Sequence, residues 1–332
     1  MQTRFLTSML ALACATLIGS APGAGDARAQ SASPPPPAVR FVTLGTNGGP
    51  VSNATRAEPA NAILIGADAW LVDVGDGASQ QLAKAGIALP QVKAVFLSHL
   101  HFDHIGGLSA LLGLRNQLGT GGVLTIYGPP GTRALVDGLI AAIIPSARAA
   151  YGYPDKPFAE PAAGVHVVEL VDGSSVQAGP IKVSARQNSH YSFVPGSELD
   201  KHHKSLSFRF DAPGRSIAFT GDTGPSTAVE ALAAGADLLV SEMIDLDRIL
   251  TPAQRTRLAG NATGQDMPRH LREHHITPEQ VGEIAAHARV RALVVTHLVA
   301  NGASAGDLLD YEARIGKLYR GPVVIANDLD VF

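Results

Sequence analysis

Ser98 to Gly107 reads SHLHFDHIGG and places three histidines and an aspartate within six residues. The apolar run just before it, Lys93–Leu97, predicts a strand. In extended chain, residues two apart share a side. His99 and His101 therefore face one point just beyond the strand end. The chain must then turn, presenting Asp103 and His104 before a helix begins at Gly106-Gly107. Two imidazoles toward one cation, with a carboxylate and an imidazole toward another, suit that spacing. Nitrogen-rich ligation with some carboxylate is zinc-type. The plain alternative is a polar loop that caps a helix. Four ionisable groups directly after a buried strand are costly without a ligand, which favours the metal reading.

Three more polar residues directly follow apolar, strand-like runs. His190 follows Ile181–Asn188, Asp222 follows Ile217–Thr220 in FTGDTG, and His297 follows Leu293–Thr296 in LVVTHL. Strand ends along one sheet edge are where sites assemble on a rigid scaffold. Together with the first cluster they complete seven ligands with one bridging carboxylate. The expected division is His99, His101, His190 and Asp222 on one cation, and Asp103, His104, Asp222 and His297 on the other. Asp73, in LVDVGDG, is expected beside the cluster. A ligand histidine needs an oriented partner on its other ring nitrogen.

Further out, short apolar runs alternate with helix-like segments from Val39 onward. Strands are expected at Arg40–Leu44, Val123–Tyr127, Val165–Leu170, Ile181–Arg186, Ser205–Phe210, Ser216–Phe219, Asp237–Val240 and Ala292–Val295. Helices are expected at Ile105–Gln117, Gly131–Ile143, Pro278–Ala288 and Ser304–Leu318. In the third of these, Thr277 and Gln280 form a capping box and Pro278 fits the first turn. Early strands come mostly in pairs and later ones alternate with helices. That mixture predicts an α/β domain over residues 39–332, with two sheets packed face to face and helices outside.

The N-terminus reads as a signal peptide over residues 1–29. Arg4 precedes the apolar run Phe5–Gly19, and Ala27-Arg28-Ala29 fits an A-x-A cleavage site before Gln30. That run is too short and too broken by Thr and Ser for a transmembrane span. Lipoprotein processing at Cys14 is the weaker alternative, because Ala11 stands where Leu is usual. Residues 30–38 then form a Pro-rich tether. Cleavage would leave a cysteine-free chain, which suits an oxidising compartment. A periplasmic or secreted location is therefore expected. Across 332 residues the net charge is −3, with no Lys- or Arg-rich run. That balance argues against a broad electrostatic grip on nucleic acid.

The motifs, in this order, resemble the metallo-β-lactamase superfamily, over nearly the whole chain after the leader. They are Asp73 in LVDVGDG, His99-x-His101-x-Asp103-His104, His190, Asp222 and His297. Within it, the ribonuclease Z branch and its arylsulfatase- and phosphodiesterase-like relatives look most similar. LGTNGGP with Arg56 beyond it, LTIYGPPG, and ADLLVSE ending at Glu242 resemble that branch. So does HITPEQVGEIAAHARVRALVVTH, from His275 to His297. The resemblance implies a four-layer αββα sandwich holding two zinc ions, with manganese or iron as alternatives. It also implies catalytic roles for Asp103, Glu242 and His275, the last two as an acid dyad beside the leaving group.

Two departures bear on substrate. The branch's transfer-RNA-processing members carry a Lys-rich arm, whereas Pro145–Gly164 here is short and has few basic residues. The glutamate stands in SEMI, and Phe102 replaces a small residue. The resulting expectation is an exported dinuclear zinc hydrolase that cleaves a small phosphodiester or sulfate ester by a metal-bridged hydroxide. The alternatives are a lactonase or β-lactamase-type hydrolase, a ribonuclease Z-like endonuclease, and a non-catalytic metal-binding protein. Oligomeric state is open, a homodimer included. Phe102, Tyr191 and Phe193 are candidates for an apolar wall. Lys201–Lys204 is expected to be a solvated loop, and His166, His270, His274 and His287 are expected at the surface.

Overall fold

Strand β1 (Val39–Gly45) shows how the interior is organised, because Phe41 and Val42 are both buried but enter different apolar clusters. The same alternation recurs in β4 (Val92–Phe96), where Val95 and Phe96 divide in this way, and in β11 (Leu238–Ile244), where Leu239 and Val240 do. A strand whose successive side chains are all apolar must be covered on both faces. Three stacked clusters follow, and hence four layers.

The computed structural model describes residues 38–153, 155, 158–252, 266–300 and 302–332. The expected leader, and all of the tether but Ala38, lie outside the described residues. The first sheet has the order β1-β2-β3-β4-β5-β6, where β2 is Ala60–Ile65, β3 Asp68–Val74, β5 Leu124–Gly128 and β6 Val165–Glu169. The second has the order β13-β12-β11-β10-β9-β8-β7. Its members are β7 Ser175–Ala178, β8 Ile181–Gln187, β9 Leu206–Ala212, β10 Arg215–Phe219, β12 Leu293–Val299 and β13 Val323–Ile325. Each sheet is antiparallel on one side and parallel on the other.

Between the sheets, Phe41, Trp70 and Phe96 of the first pack with Ile181, Phe208, Phe210 and Val240 of the second. Phe96 stacks on Tyr127 at 4.6 Å and meets Phe208 and Phe210 edge-on. Outside the first sheet lie α1 (Ala78–Lys84), α3 (Leu108–Gln117) and α4 (Thr132–Ala149). Outside the second lie α6 (Thr227–Ala233), α9 (Pro278–His287) and α10 (Ala305–Ile315), and a one-turn helix, α7 (Leu246–Ile249), follows β11. The architecture is the αββα sandwich expected from sequence. Among the described residues, no helix is long and apolar enough to cross a membrane.

The differences are local. The single helix expected over Ile105–Gln117 is two, α2 (Phe102–Ile105) and α3. Gly107 causes the break: its N–H donates to Val74 O, and a Cβ there would fall 2.2 Å from Gly75 O. The helix expected to end at Ile143 runs through Pro145 to Ala149. Lys201 and His202 of the expected loop Lys201–Lys204 instead close a short helix, α5 (Glu198–His202), in which Ser197 accepts a hydrogen bond from the Asp200 N–H.

Candidate metal centre

The site residues stand at the ends of strands from both sheets, where the backbone leaves the hydrogen-bond ladder. β4 delivers His99 and His101, β8 delivers His190, and β10 delivers Asp222. Two contributors lie inside strands instead. Asp73 and His297 adopt left-handed backbones, with φ of 58° and 44°. At each, the register shifts against the neighbouring strand, between Ala60/Asn61 opposite Asp73 and between Ser241/Met243 opposite His297. Such bulges re-aim a side chain at the cost of a ladder bond. His297 therefore does not end its strand, as the LVVTH run suggested, but is turned out of β12 by the bulge.

Asp222 Oδ2 is the hub. It lies 3.2 Å from His297 Nε2, 3.4 Å from His104 Nε2, 3.9 Å from His99 Nε2 and 4.0 Å from His190 Nε2. Asp103 Oδ2 lies 3.5 Å from His104 Nε2 and 3.7 Å from His297 Nε2. His101 Nδ1 is 3.1 Å from His190 Nε2. His99, His101 and His190 thus converge as one group, and Asp103, His104 and His297 as a second. Asp222 stands between them.

The outer contacts fix which ring nitrogens point inward. Asp73 accepts from the Ser98 N–H at 2.8 Å and from the Ser98 hydroxyl at 2.8 Å. It also accepts from His104 Nδ1 at 2.9 Å. His99 Nδ1–H in turn donates to Ser98 Oγ at 3.1 Å, so one carboxylate orients two imidazoles. His190 Nδ1–H donates to the His274 carbonyl at 3.0 Å. Each ring therefore turns its Nε2 toward the hub.

The donor set fits metal ions. His99 Nε2, His104 Nε2, Asp222 Oδ1 and His297 Nε2 are buried without a hydrogen-bond partner. Four orphaned polar atoms around one point are costly unless a cation lies among them. The two halves differ electrostatically. Burial pushes the His99 and His190 imidazoles well below their ordinary range. Burial also opposes the charged form of His297, but the Asp222 and Asp103 carboxylates outweigh it and raise that imidazole to about 10. Asp103 is held at about 2, because His104 and His297 overcome the burial that would raise it. One half is thus a set of neutral imidazoles, and the other concentrates the carboxylate charge.

Glu242 and His275 form a pair at the edge of this centre. His275 Nδ1–H donates to Glu242 Oε2 at 2.7 Å, and Glu242 Oε1 accepts from the Thr223 N–H at 2.5 Å. Both side chains are buried. Burial alone would lower His275, yet the facing carboxylate raises it. Its ring lies 5.1 Å from the ring of His190 and is parallel to that of His297 at 6.1 Å.

A family model described as a β-lactamase superfamily domain matches residues 68–298. A protein named Ribonuclease Z from Mycobacterium sp. (strain KMS) is 32% identical over 295 residues, covering 87% of this chain and 94% of its own.

The chain belongs to the metallo-β-lactamase superfamily.

Within that superfamily it falls in the ribonuclease Z branch, and it is a hydrolase of a fold that uses divalent metal. Solved structures share the metallo-β-lactamase fold at lower identity. Human tRNase Z, short form, is 22% identical with a TM-score of 0.60, over 88% of this chain and 98% of its own. A diphosphatase is 16% identical with a TM-score of 0.59, over 89% and 97%. The ribonuclease Z relatives weaken the expectation against a nucleic-acid partner.

Several expectations for this superfamily member change in the structure. His166 and His287 are exposed as expected, but His270 and His274 are not surface residues. They are half-buried on and just after α8 (Met267–Glu273), with the His270 ring 5.2 Å from that of His190. Tyr191 and Phe193 pack together beside His101, whereas Phe102 is 76% exposed. Ser98 and Glu58 were not singled out. Glu58 is buried against Asn47, and its carboxyl is pushed up by burial, against the Asn47 hydrogen bond. Ser98 is legible as the polar residue directly after the Lys93–Leu97 run. Nothing in the local pattern marks Glu58.

Proposed function

We propose that this chain is an exported, zinc-loaded phosphodiesterase that acts on a small ester. The observation that carries the reading is the Glu242–His275 pair set against a two-part ligand cluster. Lactone or β-lactam opening has no need of that pair. His99, His101, His190 and Asp222 would hold one ion, and Asp103, His104, Asp222 and His297 the other. Manganese and iron are alternatives. Bound there, two divalent cations supply an acidified water nucleophile and positive charge against the phosphoryl oxygens.

The chain's own residues do the rest. Asp73 and Ser98 keep His99 and His104 in the tautomer that binds. Asp103 is held ionised by His104 and His297, so it remains a carboxylate at neutral pH. Glu242 occupies His275 Nδ1, which leaves Nε2 to give a proton to the departing ester oxygen. Phosphate is favoured over sulfate by the ribonuclease Z relatives. Their name also supports a second reading, RNA cleavage. The net charge of −3 and the short Pro145–Gly164 segment with few basic residues count against that reading. Export rests on the leader over residues 1–29, and catalysis on a single domain over residues 39–332.

A turnover panel with the zinc-loaded mature protein tests the proposal. Its substrates are a nitrophenyl phosphodiester, a nitrophenyl sulfate, a lactone, a β-lactam and a precursor transfer RNA. Diester hydrolysis well above the other four is expected. Preferred turnover of the lactone, β-lactam or sulfate ester would refute the reading, and preferred RNA cleavage would transfer it to the second.

A further inference from the structure

His270 and His274 are four residues apart at the end of α8, so their rings share one side of it. Their Nδ1 atoms meet at 2.8 Å, and His274 Nε2 contacts Ser192 Oγ. Two nitrogens that close share a single proton, so the tautomers of the two rings are linked. When Ser192 donates to His274, His274 Nδ1–H donates to His270 Nδ1, and His270 carries its own proton on Nε2. That Nε2 has no hydrogen-bond partner among the described residues.

The ring borders a cavity of about 570 Å³ that is also lined by His101, Tyr191, Phe193 and Arg269. One nitrogen each of His190, His270 and His275 lies within 4.8 Å of the others. An oxygen seated among these three rings is within reach of two donors, His275 on one side and His270 on the other. An anionic oxygen selects the direction of the Ser192–His274–His270 chain that leaves a proton on His270 Nε2.

We propose that His270 is a substrate-binding residue whose Nε2–H hydrogen-bonds a phosphoryl oxygen, and that His274 and Ser192 are positioning residues that fix its tautomer. The assignment rests on the phosphodiesterase reading. It differs from the role of His275 because His270 donates a hydrogen bond and transfers no proton. Its contribution therefore does not depend on how poor the leaving group is.

The zinc-loaded mature protein would be compared with His270→Ala, His270→Asn and His274→Phe. The readouts are metal content, calorimetric binding of inorganic phosphate, and kcat and KM for an alkyl and a nitrophenyl diester. A hydrogen bond to a charged acceptor corresponds to about ten- to a hundredfold. His270→Ala is expected to weaken phosphate by about tenfold or more. It should lower kcat/KM by a similar factor for both diesters, with metal content unchanged. His270→Asn, which keeps a donor, should recover part of the loss, and His274→Phe should fall between. Unchanged phosphate affinity in His270→Ala overturns the proposal. Loss of bound metal also overturns it, by making His270 a ligand. If the wild type hydrolyses no diester, the phosphodiesterase reading fails, while the phosphate titration still decides the role of His270.

Discussion

His275 Nδ1 and Glu242 Oε2 lie 2.7 Å apart across 33 residues of sequence, and both groups are buried. Because Glu242 takes one ring nitrogen, His275 has a single nitrogen left to face the reaction.

That arrangement predicts a dependence on the leaving group. An alkoxide leaves poorly without a proton, whereas a nitrophenolate does not need one. General acid catalysis contributes about 100- to 10,000-fold. His275→Ala should slow an alkyl diester by a factor in that range and a nitrophenyl diester far less, with metal content unchanged. Glu242→Gln should show the same pattern more weakly. Equal losses for both esters would rule out the donor role.

Metal stoichiometry is the second prediction. The mature protein should hold close to two divalent ions per chain, because seven ligand residues exceed one tetrahedral site. His101→Ala should lose metal and activity together. Asp222→Ala should be worse, since its Oδ2 stands between both groups. Elemental analysis that finds no bound transition metal after zinc incubation would dismiss the dinuclear reading.

Asp73→Asn probes how the ligands are oriented. Asparagine tolerates the left-handed backbone at this position, so the bulge should survive. One terminal atom becomes an NH2 donor, so the amide cannot accept the Ser98 N–H on one side and both the Ser98 hydroxyl and His104 Nδ1 on the other. Loss of such a partner costs about 10- to 100-fold in metal affinity. Competition with a chelator measures the change, and an unchanged affinity would show that Asp73 does not orient the ligands.

Away from the site, Arg314 joins α10 to α9 through two hydrogen bonds to Glu279, at 2.7 and 3.0 Å. The Arg314 hydrogen bonds hold the Glu279 carboxyl at about 2, below its ordinary 4.5. A depressed carboxyl stabilises the fold above its unfolded value and stops doing so as pH falls toward about 2. The pair is partly exposed, so Glu279→Gln should cost no more than about 1 kcal/mol at pH 7. The cost should vanish near pH 2. Denaturant unfolding at the two pH values reads the difference.

Location is the last prediction. Cell fractionation should recover the protein outside the cytoplasm, with a mature N-terminus near Gln30. An intact Met1 on a cytoplasmic protein would refute export and strengthen the RNA reading.

The sequence alone determined what depends on neighbours along the chain. SHLHFDHIGG after an apolar strand, the doubly apolar strand runs and the Thr277–Gln280 capping box are short-range patterns, and each is legible from spacing. Tertiary structure decided what depends on register and docking. Asp73 and His297 reach the centre through bulges, and a bulge exists only when a partner strand pairs out of step. His270 and His274 stand at a helical i, i+4 spacing that is visible in the sequence. Their helix is short and has no apolar stripe to mark its inward face, so only its docking beside His190 brings them to the cavity. Asp222 reads as a strand-end carboxylate expected to bridge the two ligand groups. It becomes the hub because two sheets, built from opposite halves of the chain, bring four histidines within 4.0 Å of one of its oxygens.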